Sequence, residues 1–321
     1  MRTFVPALVL ISALMPPTVI AQARCGHPDP EISISVCSGV IRSGRVRGHE
    51  LAVAHTERGI AYVTLLDYDR ALRDFADAIR IDPSFARAYA NRGAVYGAKQ
   101  DFESAISDFT RVLALEPRSA HAFADRAGMH RLNGQHDAAI RDYTDAIRLD
   151  PAFAEAILNR AITFAGTGRC GDAIPDFTRA IELFAREPGT QEPGTRNPEP
   201  GTGNLEPGTP IALIDRGVCY EKDGHDDLAL RDYSAHLEIQ PRSQYALELR
   251  AALYFRAGQY DRARADFAQA LVVNPSSPTA LFGRGMVRRM TGDPRGGQAD
   301  IDTAIAMRAR VAEQMAQRGV K

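Results

Sequence analysis

The chain has no tryptophan, and aromatic residues make up only 7% of it. A sheet core built on large flat side chains is therefore not expected, while abundant Ala and Arg favour helices. Charge of one sign is lacking too: 39 basic residues face 40 acidic ones, for a net charge of −1. That removes the basic footprint of a nucleic-acid binder and the charge block of a membrane-surface protein. No apolar run reaches the roughly 20 residues that a bilayer span needs. No CxxC or Cys/His cluster has metal-site spacing. No G-x-S-x-G, H-E-x-x-H, P-loop or Rossmann glycine pattern occurs. Neither catalysis nor a metal or cofactor is expected.

The start of the chain reads as a targeting segment. Arg2 is followed by the apolar run FVPALVLISALM, Phe4 to Met15, and by Ala21-Gln22-Ala23. This order fits a secretory signal peptide, residues 1–23, cut after Ala23; an uncleaved anchor is the alternative. Arg24, which is not small, argues against a lipoprotein site at Cys25. The expected location is exported, periplasmic or secreted. Only four cysteines are present, Cys25, Cys37, Cys170 and Cys219, and an oxidising compartment would allow them to pair.

What the sequence has is a period. Prolines close similar segments at Pro83, Pro117, Pro151, Pro241 and Pro275, in steps of 34, 34, 90 and 34. Ninety is two periods plus 22, and the extra residues are 188–209, a Pro/Gly-rich stretch holding most of four Glu-Pro-Gly-Thr copies. An Arg followed by Gly or Ala keeps the same phase at Arg58, Arg92, Arg126, Arg160, Arg216, Arg250 and Arg284. A small residue follows at Ala71, Ala105, Ala139, Ala173, Ala229, Ala263 and Gly297. Four places on comes a ring at Phe75, Phe109, Tyr143, Phe177, Tyr233 and Phe267, with Ile301 last. Tyr89, Gly93 and Tyr96, then Ala105, Phe109 and Val112, share helical faces on either side of a turn. Each period thus predicts two helices, and the Pro stops the pair. One pair cannot bury its own apolar face, but stacked neighbours can.

The period, the small-residue and ring phase, and the closing Pro resemble the tetratricopeptide repeat (TPR) family over about residues 49–311. The resemblance implies an all-α fold, an α-solenoid in which helix-turn-helix units form a right-handed superhelix, and binding of a protein or peptide in a concave groove. It departs from the family at the Arg, where many members carry Leu, at Ala185, where a closing Pro is due, and in the last unit. The expected layout is a cap over 24–48, units 1–4 over 49–187, the insertion 188–209, and units 5–7 with a C-terminal capping helix over 210–321. The last helix is expected over about Pro294 to Arg318. Asp29 is a candidate N-cap and Gly44 a stop for the first cap helix.

The repeated Arg has an explanation within the chain. Asp74, Asp108, Asp142, Asp176, Asp232, Asp266 and Asp300 each lie 16 residues after it. In an antiparallel hairpin, residues equidistant from the turn sit at one height. By the same measure each Asp also reaches the Arg of the following unit, so a continuous, partly buried Arg/Asp ladder is expected. Cys25 and Cys37 hold the two small-residue places one period upstream and form one candidate disulfide. Cys170 and Cys219 form a second if the insertion loops out; the alternative is small buried thiols. His130 and His136 stand where other units carry a ring or turn residue and read as packing substitutes.

For the groove, the first helices offer Arg87 and Asn91, His121 and Asp125, Glu155 and Asn159, Asp215 and Lys222, and Tyr245 and Arg256 as candidate contacts. Their acidic middle fits a basic or neutral extended segment better than a peptide's C-terminal carboxylate. The leading function is a non-enzymatic interaction scaffold with a protein or peptide partner, no nucleic acid, and no membrane span after signal cleavage. The alternative is a structural envelope protein that self-associates through its repeat surfaces. The insertion, too polar and proline-rich to form a core, reads as a disordered bulge, a hinge or a proline-rich ligand.

Overall fold

The computed structural model describes residues 25–186 and 208–321; the signal-peptide reading, and all but the last two residues of the insertion, lie outside them. The described residues are helical with no strand, and they fall into two compact units divided after Pro151.

In the first unit α1 (Pro30–Arg42) is followed by three helix pairs. These are α2 (His49–Thr64) with α3 (Tyr68–Ile81), α4 (Ala86–Ala98) with α5 (Phe102–Leu115), and α6 (Ala120–Leu132) with α7 (His136–Leu149). Asp29 caps α1 by accepting from the amides of Glu31 (2.9 Å) and Ile32 (3.2 Å), and Gly44 beyond its end has φ +62°. Asp67 and Asp101 cap α3 and α5 in the same way, which fixes where the second helix of each pair begins.

The second unit holds α8 (Ala154–Gly166) with α9 (Cys170–Arg186), α10 (Gly208–Lys222) with α11 (Asp226–Ile239), α12 (Gln244–Arg256) with α13 (Tyr260–Val273), and α14 (Pro278–Met290) with α15 (Pro294–Met307). A short α16 (Val311–Gln317) ends it. Helix α10 takes in Gly208 and Thr209, two residues that the repeat phase assigns to the insertion. The pairs on either side of the insertion stay joined. Cys170 of α9 is bonded to Cys219 of α10, with Cα atoms 5.2 Å apart, and Arg216 Nη1 donates to Thr178 Oγ1 at 2.9 Å.

The ring and small-residue phases meet inside each pair. A Cβ on Gly59 would stand 2.5 Å from the Phe75 ring, and one on Gly217 2.6 Å from that of Tyr233. At α14 and α15 both small places are glycine, and a Cβ on either would meet the other's carbonyl at 2.6 Å. Absence of side chains there is what lets the two backbones come this close.

The closing prolines explain most helix ends. Asp82, Glu116, Asp150, Gln240 and Asn274, each one residue before a Pro, leave the helical region with φ between −126° and −137°. Where the Pro is missing the outcomes differ. Helix α9 runs through Ala185 to Arg186. The last long helix does not reach Arg318 as expected: it stops at Met307, with Arg308 extended at φ −150°. The chain then turns into α16 instead of prolonging a terminal cap.

Candidate functional site

The seven Arg/Asp pairs all form, each a fork with two bonds. Arg58 gives Asp74 Nε–Oδ2 at 2.8 Å and Nη2–Oδ1 at 2.7 Å. Arg92–Asp108, Arg126–Asp142, Arg160–Asp176, Arg216–Asp232, Arg250–Asp266 and Arg284–Asp300 repeat this between 2.7 and 2.9 Å. The carboxylates are buried and the arginines half-buried. Bonds to Asp74 hold the Arg58 guanidinium above its ordinary pKa despite burial. Burial pushes the Asp74 carboxyl up, but hydrogen bonds from Arg58 and His55 outweigh it and hold it below the ordinary range.

The link between hairpins is not the one expected. Each carboxylate forks with the arginine of its own hairpin; Asp74 is shared with His55 and Asp300 with Arg288, but neither with the arginine of a following hairpin. The third nitrogen reaches back instead to a hydroxyl two residues after the preceding Asp: Arg126 Nη1 to Thr110 at 3.1 Å, Arg216 to Thr178, and Arg250 to Ser234 at 3.2 Å. Arg58 reaches Ser38 of α1 at 3.0 Å. The signal that finds this rung is Ser or Thr two places beyond the Asp. Arg92 meets Ala76 in that phase, so its fork stands alone.

His55 was not singled out by the repeat phase. Its Nδ1 lies 2.9 Å from Asp74 Oδ1, and with Asp77 the three groups have ligand atoms within 4.8 Å of one another. Asp74 is already held by the Arg58 fork and Asp77 by Arg80 at 2.9 Å, so the arrangement is that of an ion-pair network. His130 is half-buried with Nδ1 2.5 Å from Gln135 Oε1, and His136 opens α7.

Cys25 and Cys37 are both buried and free, so the first candidate disulfide is not present. The Cys37 thiol donates to the Cys25 carbonyl at 3.5 Å, and the Ser33 hydroxyl bonds the same carbonyl. Hydrogen bonding to Cys25 and burial raise the Cys37 thiol pKa; the Cys25 thiol, bonded by Cys37, is lowered.

On the first-helix face of the first unit, Arg87 is neutralised by Glu57 at 2.6 Å, and Asn91 donates to its own helix at the Arg87 carbonyl, 2.8 Å away. Neither head is free to form a carboxylate grip. Asp125 is water-accessible and makes no hydrogen bond or ion pair among the described residues. Surrounding protein nevertheless raises its carboxyl pKa by desolvation, only partly offset by His121.

In the second unit Asn159 donates to the Glu155 carbonyl at 2.9 Å, while Lys222 is exposed and Tyr245 is 52% exposed. Asp215, unpaired among the described residues, is raised by desolvation alone. Arg256 is spent on Asp226 at 2.6 Å and Glu221 at 3.4 Å. Among these candidates the heads without an ion pair among the described residues include the carboxylates Asp125 and Asp215 and the ammonium of Lys222.

No helix among the described residues is long and apolar enough to cross a membrane. No curated protein matches the sequence. Solved structures do match in fold. The C-terminal part of a TPR repeat-containing protein from Cytophaga hutchinsonii is 15% identical, the match covering 83% of this chain and 98% of that part, with TM-score 0.63. A tetratricopeptide repeat protein from Parabacteroides merdae is 18% identical, covers 83% and 98%, and has TM-score 0.56. YrrB, described as a TPR protein with an unusual peptide-binding site, is 21% identical over 66% of this chain and 95% of its own, with TM-score 0.50. The tetratricopeptide repeat model matches residues 56–120, 94–152, 133–189 and 249–296, more than half of the chain. With the repeat phase, the paired helices and this match agreeing, the chain belongs to the tetratricopeptide repeat family, whose fold is that of a protein-interaction scaffold.

Proposed function

We propose that the protein is a non-enzymatic, exported scaffold that holds an extended partner segment on its first-helix face through a Lys or Arg side chain. The observation that carries this is Asp125: exposed on the first-helix face, with no hydrogen bond or ion pair among the described residues, and with its carboxyl pKa raised by desolvation. A perturbed charge without an ion-pair partner is a functional-site signature, and a cationic side chain would relieve it. Asp215 repeats the pattern in the second unit. YrrB's peptide-binding site supports the class of partner. Export is supported by the signal-like first 23 residues and by the Cys170–Cys219 bond, of a kind that persists in oxidising compartments.

The test is binding of a library of extended peptides to the wild type and to Asp125→Lys. Basic peptides should bind the wild type and lose affinity in the variant; equal binding by both ends the reading. Self-association is the second reading, favoured by the apolar Ile305 and Met307 left exposed on α15. Light scattering of the mature protein separates the two.

A further inference from the structure

The C-terminal segment does not lie where a stack cap would. In the second unit a following hairpin covers the outer face of a second helix: Leu271 of α13, beneath α14, is only 9% exposed. Ile305 of α15 holds the same phase, 34 residues later, and is 39% exposed, with Met307 at 51%. The end of the stack is therefore open, although thirteen residues follow α15 before the last, Lys321.

Those residues cover the first-helix face instead. Val311, Met315 and Val320 are fully buried and share a core with Leu249 and Ala252 of α12 and Met286 of α14. Leu249, Ala252 and Met286 are groove-face positions, at the phase of Asp215, Val218 and so on in earlier helices. In the first unit Ala94 and Asp125, on the same face of their helices, are exposed. Gln314, Met315, Gln317 and Arg318 close one side of a cavity of about 500 Å³, with Tyr245, Leu249 and Thr279 on the other. The last turn is tethered by Arg256, whose Nη1 donates to the Arg318 carbonyl at 3.3 Å. Gly319, at φ +79°, turns the chain so that Val320 points back into the core.

We propose that the first-helix face of α12 and α14 is a docking site for a short amphipathic helix of a partner protein, and that α16 is the chain's own stand-in for it. The recognition is written in what α16 presents. Val311 and Met315, four residues apart, are one helical face and enter the Leu249–Ala252–Met286 surface. The carbonyl end of the helix, negative by its dipole, meets the Arg256 guanidinium. The fitting partner carries aliphatic or methionine side chains four residues apart and ends its helix at Arg256. This site is separate from Asp125 and needs no basic residue in the partner.

The test uses the full chain and a fluorescent peptide with the sequence of residues 308–321. Met315→Asp expels α16 and should bind the peptide at least tenfold more tightly than the wild type, whose own tail competes. The peptide carrying the same change should not bind. A Met315→Asp protein that keeps its thermal transition yet binds no more tightly than the wild type overturns the proposal. Hydrogen exchange of the wild type decides even if that variant does not fold. Amides of 312–320 exchanging at least tenfold faster than those of α14 and α15 support a displaceable tail; exchange together with them makes the tail permanent core and overturns it. A wild-type dimer that Met315→Asp converts to monomer would put a second copy's tail in the site, and likewise overturns the partner reading. Failure of this test leaves the Asp125 test untouched.

Discussion

The Arg92–Asp108 fork is the cleanest place to ask what the repeated charge pair does. Its two bonds are 2.8 and 2.7 Å, its carboxylate side chain is 6% exposed and its arginine 21%. At Arg58, Arg126, Arg216 and Arg250 a third nitrogen is tied to a neighbouring hydroxyl; at Arg92 that phase holds Ala76, so removal breaks one ion pair, along with the contacts of its guanidinium to the Tyr89 and Tyr96 rings. Arg92→Leu installs the residue that many family members carry and leaves Asp108 buried without its partner. Breaking a buried pair from one side costs about 3–5 kcal/mol. The partial exposure of Arg92 lets water reach the orphan, so the lower end, about 3 kcal/mol, is expected. Arg92→Leu with Asp108→Leu removes both charges and their desolvation cost, and should return to within about 1 kcal/mol of the wild type. Urea unfolding followed by far-UV circular dichroism reads both, and the lack of tryptophan makes dichroism the better signal. Interpretation requires an unchanged slope, because stacked repeats do not always unfold in one step. If the double variant is as unstable as the single, the fork contributes net stability and does not merely offset its own desolvation. If the single variant loses nothing, Asp108 is not buried as described.

Other expectations follow from single features. Gly285→Ala should destabilise by about 1–3 kcal/mol in urea unfolding, because the new Cβ meets the Gly297 carbonyl, which cannot move as a side-chain tip can. Cys170→Ser with Cys219→Ser should lower stability by roughly 2–4 kcal/mol, since that bond closes a loop of 49 residues in sequence separation; a variant as stable as the oxidised wild type would refute this. Deleting 190–205 leaves a connector about as long as 82–85, and Gly208 already lies against the Phe184 ring. The melting temperature should therefore hardly change, as loop length costs only about 0.6 kcal/mol per doubling. Asp125→Asn should stabilise slightly at pH 7, by no more than about 0.5 kcal/mol, because solvent screens this exposed carboxylate. The raised carboxyl pKa means that the folded state binds the proton more tightly, so stability is fully present below the unfolded pKa and falls as pH rises through the folded one. The advantage of Asn should accordingly vanish in thermal melts below about pH 4.

The sequence by itself determined the repeat. Helix pairing, the helix ends before each Pro, the Arg-to-Asp spacing and the near meeting of Cys170 and Cys219 all follow from residues a fixed distance apart on a rigid helix of known rise. Phase is a local, additive property, and it passes through the insertion because a loop does not alter the helices on either side. Tertiary structure decided what depends on competition for one atom or one surface. Each carboxylate was equally placed, by spacing, to serve two arginines. Fork geometry gave both its oxygens to one, and left the link between hairpins to Thr110, Thr178 and Ser234. Residues 294–318 read as one polar helix, because nothing in their periodicity tells a terminal cap from a ligand. The turn at Arg308 and the burial of Val311, Met315 and Val320 depend on Leu249, Ala252 and Met286, dozens of residues away. That surface exists only once α12 and α14 are side by side, which is why the chain's use of its own groove could be seen in the fold and not in the sequence.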